Sequence, residues 1–206
     1  MKFTLLTLIT SLLVSGCSML GQRYGEEALY ATLFSDGDYE IRLYEPLIVA
    51  QTPSSGSYLQ ATREGYKRLT DYVSGENLAG QLITGASAAE ATNKSSSNEL
   101  TTPYFEELID GFWLTSATMP EKYSLATIPK PSNDLITFAT LPRIKTAVIR
   151  FSGIKSERLI TQKANELLAW IKQEGLIATS AARSAVFESA LSLPGLRRHE
   201  VHISIQ

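Results

Sequence analysis

One structural pattern occurs twice in this chain, about 100 residues apart: a strand, a proline, a second strand, a loop, a helix and a glycine. The first copy comprises strands at residues 39–44 and 47–50 around Pro46, a helix at residues 57–74, and Gly75. The second comprises strands at residues 135–140 and 146–151 around Pro142, a helix at residues 156–174, and Gly175. Proline lacks a backbone donor and suits strand ends, while glycine suits helix ends. Two copies are too few for a solenoid, so they favour one domain of two matched halves that share a core.

The spacing of apolar residues supports this plan. Tyr39, Ile41 and Leu43 alternate with polar neighbours, as in a half-buried strand. Apolar positions in the helices recur at three- and four-residue intervals: Leu59, Thr62, Tyr66, Leu69 and Val73, then Ile160, Ala164, Leu167, Leu168 and Ile171. With 206 residues, 44% of them hydrophobic and 19% charged, the chain can form one globular domain.

The N-terminus has the features of an export signal. Lys2 precedes an apolar run at residues 3–14, which is too short to span a bilayer of roughly 30 Å and is typical of a signal peptide. The run ends in Val14-Ser15-Gly16-Cys17, and Cys17 is the only cysteine. This ending resembles the lipobox of bacterial lipoproteins. The resemblance implies that residues 1–16 are a signal peptide and that Cys17 is lipidated on its sulfur and acylated on its amine, with palmitate as a typical chain.

The same resemblance implies a location in the bacterial cell envelope. Ser18, rather than aspartate, follows the cysteine, and the usual sorting pattern then favours the outer membrane, facing the periplasm. Residues 17–37 would form the lipidated N-terminus and a tether, with a short helix at residues 26–34, and residues 38–206 would form the domain. The alternative is a soluble secreted protein in which Cys17 has no role.

From Tyr39 onward the chain resembles the SOUL haem-binding protein family. The passages that carry the resemblance are residues 39–44, 63–66, 72–77, 148–153 and 196–201, and the most distinctive one, Met119-Pro120-Glu121-Lys122-Tyr123-Ser124-Leu125, with residues 128–131. The resemblance covers most of residues 39–205. It implies an α+β fold: a distorted, largely antiparallel β-barrel of two pseudo-symmetric β/α halves, with two long helices packed outside.

The resemblance also implies a ligand site on the outer face of the first helix. Haem needs an apolar slot and cations for its propionates. The matching positions are Arg63, Tyr66, Leu69 and Thr70; Arg63 would hold a propionate, and Tyr66 and Leu69 would pack on the ring. The alternative is that Tyr66 and Leu69 belong to the core and that Arg63 is solvated.

Other kinds of chemistry have weaker signals. His199 and His202 lie three apart on a predicted strand, so they point to opposite faces and cannot chelate one metal; no metal site is predicted. No nucleophile elbow or phosphate-binding glycine loop occurs. Glu106, Glu107 and Asp110 are most simply a solvated edge, although an acid/base pair, and hence a hydrolase, stays open. The net charge of −2 gives no reason to expect nucleic acid as a partner.

The sequence therefore predicts a lipid-anchored periplasmic protein that binds haem or a related tetrapyrrole and is not an enzyme. The alternative is a SOUL-fold envelope protein that binds another hydrophobic small molecule or a protein partner, without haem. A polar loop is predicted at residues 85–98, where alanine, serine, threonine and asparagine dominate.

Overall fold

The computed structural model describes residues 28–83, 100, 102–187 and 197–206. The predicted signal peptide, Cys17, most of the predicted tether and the polar loop at residues 85–98 lie outside the described residues.

In the described part of the chain, nine strands form one antiparallel sheet against which two helices pack. The strands are β1 (Tyr30–Asp36), β2 (Tyr39–Tyr44), β3 (Leu47–Ser54), β4 (Tyr104–Ile109), β5 (Phe112–Thr118), β6 (Thr137–Leu141), β7 (Ile144–Phe151), β8 (Arg183–Val186) and β9 (His199–Ser204). The helices are α1 (Tyr58–Val73) and α2 (Glu157–Gln173). The sheet is curled, so the architecture is the predicted mixed α+β fold with a barrel-like sheet and two helices outside.

The strand order reveals the two halves of the domain. It runs β1-β2-β7-β9-β8-β4-β5-β3-β6. The strands β2, β3, β4 and β5 correspond to β6, β7, β8 and β9. When each of these strands is replaced by its counterpart, the same order results, read in the opposite direction. Among these nine strands, only β1 has no counterpart. A pseudo-twofold axis therefore passes between β4 and β8, where Glu106 pairs with Ser184. The repeat predicted from the sequence is confirmed, including both helix-ending glycines, Gly75 and Gly175, whose φ angles are +111° and +71°.

Both helices cover the same face of the sheet, and each has its own core. Under α1 the core includes Leu69, Tyr72 and Ala117, and under α2 it includes Leu167 and Ile203. These apolar residues leave water on folding, which stabilises the attachment of each helix to its half of the sheet. The helix-covered face thus has two cores, one on each side of the pseudo-twofold axis.

Strand β1 corrects the expectation for the N-terminal segment. Residues 30–36, which the sequence assigned to the tether and in part to a short helix, pair with β2 along its whole length. The helix prediction rested on the spacing of Leu29, Tyr30 and Leu33. The pairing of β1 with β2 outweighs this helical spacing, because the outer edge of β2 would otherwise present unpaired backbone groups.

Candidate functional site

The outer face of α1 carries a shallow groove that includes one of the four predicted ligand residues. The groove has a volume of about 370 Å³ and is lined by Ser57, Leu59, Gln60, Arg63, Glu64 and Lys67. Leu59 gives it an apolar surface, since 64% of this side chain is exposed. The groove therefore combines exposed apolar surface with cations on a single helix.

Arg63 is the predicted residue that faces this groove. Among the described residues it has no ion-pair partner, whereas Lys67 binds Asp71 at 2.6 Å and Glu64 binds Arg68 at 2.5 Å along the helix. A guanidinium without a protein partner can bind an incoming carboxylate without first losing another contact.

The other three predicted residues lie elsewhere on α1. Leu69 is fully buried in the core beneath the helix. Tyr66 is half-buried, and its ring centroid lies 5.1 Å from that of Tyr104. The Thr70 hydroxyl is buried and has no hydrogen-bond partner among the described residues. The four side chains do not share one surface, so their joint role in binding a ligand stays a prediction.

The acidic group at the end of β4 is divided between both faces of the sheet. Glu106 faces the helices and is only 2% exposed. Its carboxylate accepts a hydrogen bond from the Tyr58 hydroxyl at 2.7 Å and binds Lys155 Nζ at 2.7 Å. Glu107 faces the other side, where burial raises the pKa of its carboxyl. Asp110 is exposed in the turn between β4 and β5. The expected solvated edge is therefore wrong for Glu106, which is buried, and the alternative acid/base pair is not assembled because the two glutamates lie on opposite faces.

Two partners of Glu106 were missed by sequence reasoning. Tyr58 precedes it by 48 residues and Lys155 follows it by 49, one at the start of α1 and the other just before α2. Their meeting depends on the pseudo-twofold packing, which places the beginnings of both helices near the centre of the sheet. No spacing in the sequence indicates it.

The opposite face of the sheet carries a buried ionic network centred on Arg42. Its guanidinium donates two hydrogen bonds to the Glu200 carboxylate, at 2.7 and 2.9 Å, and one to Glu40 at 2.6 Å. The ring centroid of Tyr30, on β1, lies 4.3 Å from the guanidinium carbon. Arg42 and Glu200 are both fully buried. Because these charges satisfy one another, the network stabilises the sheet.

His202 belongs to this network and His199 does not. His202 Nε2 lies 2.8 Å from Glu200 on the face opposite the helices, whereas His199, on the helix-covered face, has its Nε2 3.1 Å from the carbonyl oxygen of Gly153. The predicted placement of the two histidines on opposite faces is confirmed. Burial lowers the pKa of His202 to about 4, so its neutral ring donates to Glu200 at neutral pH. Burial opposes the ionisation of Glu200, but hydrogen bonds from His202 and Arg42 keep its pKa below the usual range.

The described residues contain no group of three or more His, Cys, Asp or Glu side chains that could hold a metal ion. None of their helices is both long enough and apolar enough to cross a membrane.

The fold belongs to the class of pseudo-symmetric α+β domains. It has two matched halves, each with one helix on the same face of a curled antiparallel sheet. Within that class, the model of the SOUL heme-binding protein family matches residues 25–204. The chain therefore belongs to the SOUL heme-binding protein family. No curated protein is significantly similar to it in sequence.

Several solved structures share the fold. The EcmrR C-terminal domain is 11% identical with a TM-score of 0.54, over 86% of this chain and 98% of that one. A hydrolase from Listeria innocua is 12% identical with a TM-score of 0.51, over 84% of this chain and 94% of that one. In an EcmrR–DNA complex the identity is 10% and the TM-score 0.53; 98% of this chain is covered, but only 65% of the EcmrR chain. At such identities the similarity establishes the fold alone.

Proposed function

We propose that this protein is a lipid-anchored envelope protein that binds haem or a related tetrapyrrole without catalysing a reaction. The observation that carries the proposal is the family match over residues 25–204. Family members are named for haem binding, and the match includes the whole of α1, where the resemblance locates the ligand.

The groove on α1 supports a tetrapyrrole ligand. A flat apolar macrocycle with carboxylate substituents needs apolar surface beside a cation. Leu59 supplies exposed apolar surface, and Arg63, which has no ion-pair partner in the part of the chain that the structure describes, can pair with a propionate. In this proposal Tyr66 contacts the edge of the ring, while Leu69 acts from beneath by holding α1 on the sheet.

Titration of hemin into the soluble protein (residues 18–206) tests the ligand. We expect a saturable Soret shift that weakens about fivefold in Arg63→Ala, since a partly exposed ion pair contributes on the order of 1 kcal/mol. Tyr66→Ala should weaken it as well. The matched control is Arg158→Ala, an exposed arginine on α2. A response no larger than that of an unrelated protein would exclude haem and favour another hydrophobic ligand or a protein partner, and equal losses in both arginine variants would exclude the groove.

The proposed anchor is lipid on Cys17, at the outer membrane and facing the periplasm. The N-terminal sequence supports it: a short apolar run, the Val14-Ser15-Gly16-Cys17 ending, and Ser18 as the next residue. More than one acyl chain on a single residue would make the attachment stable. Cys17→Ser should abolish labelling by a fatty-acid precursor and release the protein from the membrane fraction. Unchanged fractionation of this variant would refute the anchor while leaving the hemin result untouched.

A further inference from the structure

The ammonium group of Lys155 lies in surroundings that proteins commonly use to bind organic cations. Its Nζ is 2.7 Å from Glu106 and lies 5.9 and 5.5 Å from the ring centroids of Tyr58 and Tyr104. Trp113 packs edge-on against Tyr58, with centroids 4.8 Å apart. A carboxylate and several aromatic rings around a cation provide both charge neutralisation and cation–π attraction.

The two halves of the domain differ in polarity at this place. Under α2 the sheet presents the buried apolar residues Ile149, Val201 and Ile203, whereas under α1 it presents the buried polar residues Thr52, Glu106 and Thr115. An apolar surface suffices to attach a helix, as the α2 half shows. Of the polar residues under α1, Thr52 accepts a hydrogen bond from Arg68 of that helix at 2.5 Å, so the buried group that helix attachment leaves unexplained is the Glu106 carboxylate.

Two hydroxyl groups beside Glu106 also lack partners. Thr115 and Ser184 are its neighbours on the adjacent strands β5 and β8. Both hydroxyls are buried and have no hydrogen-bond partner among the described residues. Buried polar groups are normally satisfied, so such a pair next to a buried carboxylate marks polar surroundings that the described residues do not fully satisfy.

Lys155 can leave this position without the loss of any helix or strand. It belongs to the connection between β7 and α2, outside both elements, and its side chain is 17% exposed. Gly153, two residues earlier, has a φ angle of +120°, where a residue without a side chain is favoured. A ligand cation that replaced Lys155 would keep the buried Glu106 carboxylate neutralised, so the exchange avoids an unpaired buried charge.

We propose that Glu106, Tyr58 and Tyr104 form a binding site for a ligand with an organic ammonium group, and that Lys155 occupies this site when the ligand is absent. The site is separate from the groove on α1 and does not depend on haem binding. Lys155 acts as an internal competitor, so the apparent association constant for the ligand is the intrinsic one multiplied by the fraction of time that the site is open.

The wild-type protein tests this directly, with benzyltrimethylammonium as the probe and benzyl alcohol as its uncharged control. Binding of the probe should expose Lys155 and raise its rate of acylation, measured by mass spectrometry. The rate at Lys67, whose side chain is already 75% exposed, should not change. An unchanged rate at Lys155 under saturating probe, or an equal increase with benzyl alcohol, would overturn the proposal.

Variants of Lys155 and Glu106 provide a second test of the proposed site. By calorimetry, Lys155→Ala should bind the probe at least about tenfold more tightly than the wild type, because the competitor is gone. Lys172→Ala, which removes an exposed lysine of α2, should bind like the wild type. Adding Glu106→Gln to Lys155→Ala should abolish binding, and retained binding there would overturn the site. If Lys155→Ala alone fails to fold, the acylation result in the wild type decides the proposal.

Discussion

At the scale of single residues, Arg42 shows how a charge can be buried in this fold. Removing a guanidinium from water is costly, and the cost is recovered only when its donors are well paired. Glu200 accepts two of its hydrogen bonds and Glu40 a third, while Tyr30 lies over its face. The network therefore links β2 to β9, although β7 lies between them in the sheet.

His202 makes this network sensitive to acid. Its pKa is about 4 in the folded protein, below the ordinary histidine value of 6.5 that applies to the unfolded chain, because burial opposes its protonation. Between these values the unfolded chain binds a proton that the folded chain does not. The free energy of unfolding should therefore be fully retained above pH 6.5 and should fall as the pH decreases towards 4, by at most about 1.4 kcal/mol per pH unit from this group.

Urea denaturation of the wild type and His202→Gln between pH 5 and 6.5 measures this effect. The variant should show a shallower pH dependence, because glutamine does not titrate. Glu107, whose raised pKa acts in the opposite direction, is common to both proteins and cancels in the difference. Parallel pH profiles for the two proteins would show that His202 does not cause the acid sensitivity.

At the scale of elements, the close packing of α1 on the sheet depends on Gly65. A Cβ atom at this position would lie 2.8 Å from the Cβ of Thr115 on β5, closer than such atoms approach in proteins. In an exposed helix, Gly→Ala stabilises by about 1 kcal/mol. Here we expect the opposite: Gly65→Ala should lower the free energy of unfolding by about 1–3 kcal/mol, because α1 must move away from the sheet.

Equilibrium denaturation with urea checks this sign. Gln60→Ala, an exposed change on the same helix, controls for helix propensity and should be neutral or slightly stabilising. A Gly65→Ala protein more stable than the wild type would mean that the close approach of α1 to β5 is absent in solution.

The elements were largely predictable because each depends on local signals. Helix α2 was predicted at residues 156–174 and spans Glu157–Gln173, and Gly175 follows it as predicted. Strand β1 was missed because only its pairing with β2 determines it. The alternation of β2 was detected, but its polar side was not known to be buried, since the partner of Arg42 lies 158 residues away.

The candidate sites were less predictable for the same reason. Helical spacing alone left Leu69 either in the core or at a ligand, and the structure shows it buried in the core. Glu106 was recognised as part of an acidic group, yet its partners Tyr58 and Lys155 meet only through the packing of the two halves. Local sequence therefore predicts the elements, while the chemistry of this domain depends on contacts between distant residues.

At the scale of the whole molecule, the two halves interlock. Strand β2 of the first half pairs with β7 of the second, and β6 of the second pairs with β3 of the first. The central pair β4–β8 joins them again. Neither half can be removed without leaving the edges of the other unpaired, so we expect the domain to unfold in one cooperative step despite its internal repeat.

The two tryptophans of the chain allow this to be measured, because each half holds one. Trp113 lies on β5 in the first half, and Trp170 on α2 in the second, where it stacks on Tyr39 with ring centroids 5.0 Å apart. Trp170→Phe leaves a reporter in the first half and Trp113→Phe leaves one in the second. In each variant the urea midpoint from tryptophan fluorescence should coincide with the midpoint from far-ultraviolet circular dichroism of the same protein. Comparison within one variant removes the effect of the substitution on stability. A fluorescence transition that precedes the circular dichroism transition in either variant would show that the half it reports unfolds by itself, in spite of the shared strands.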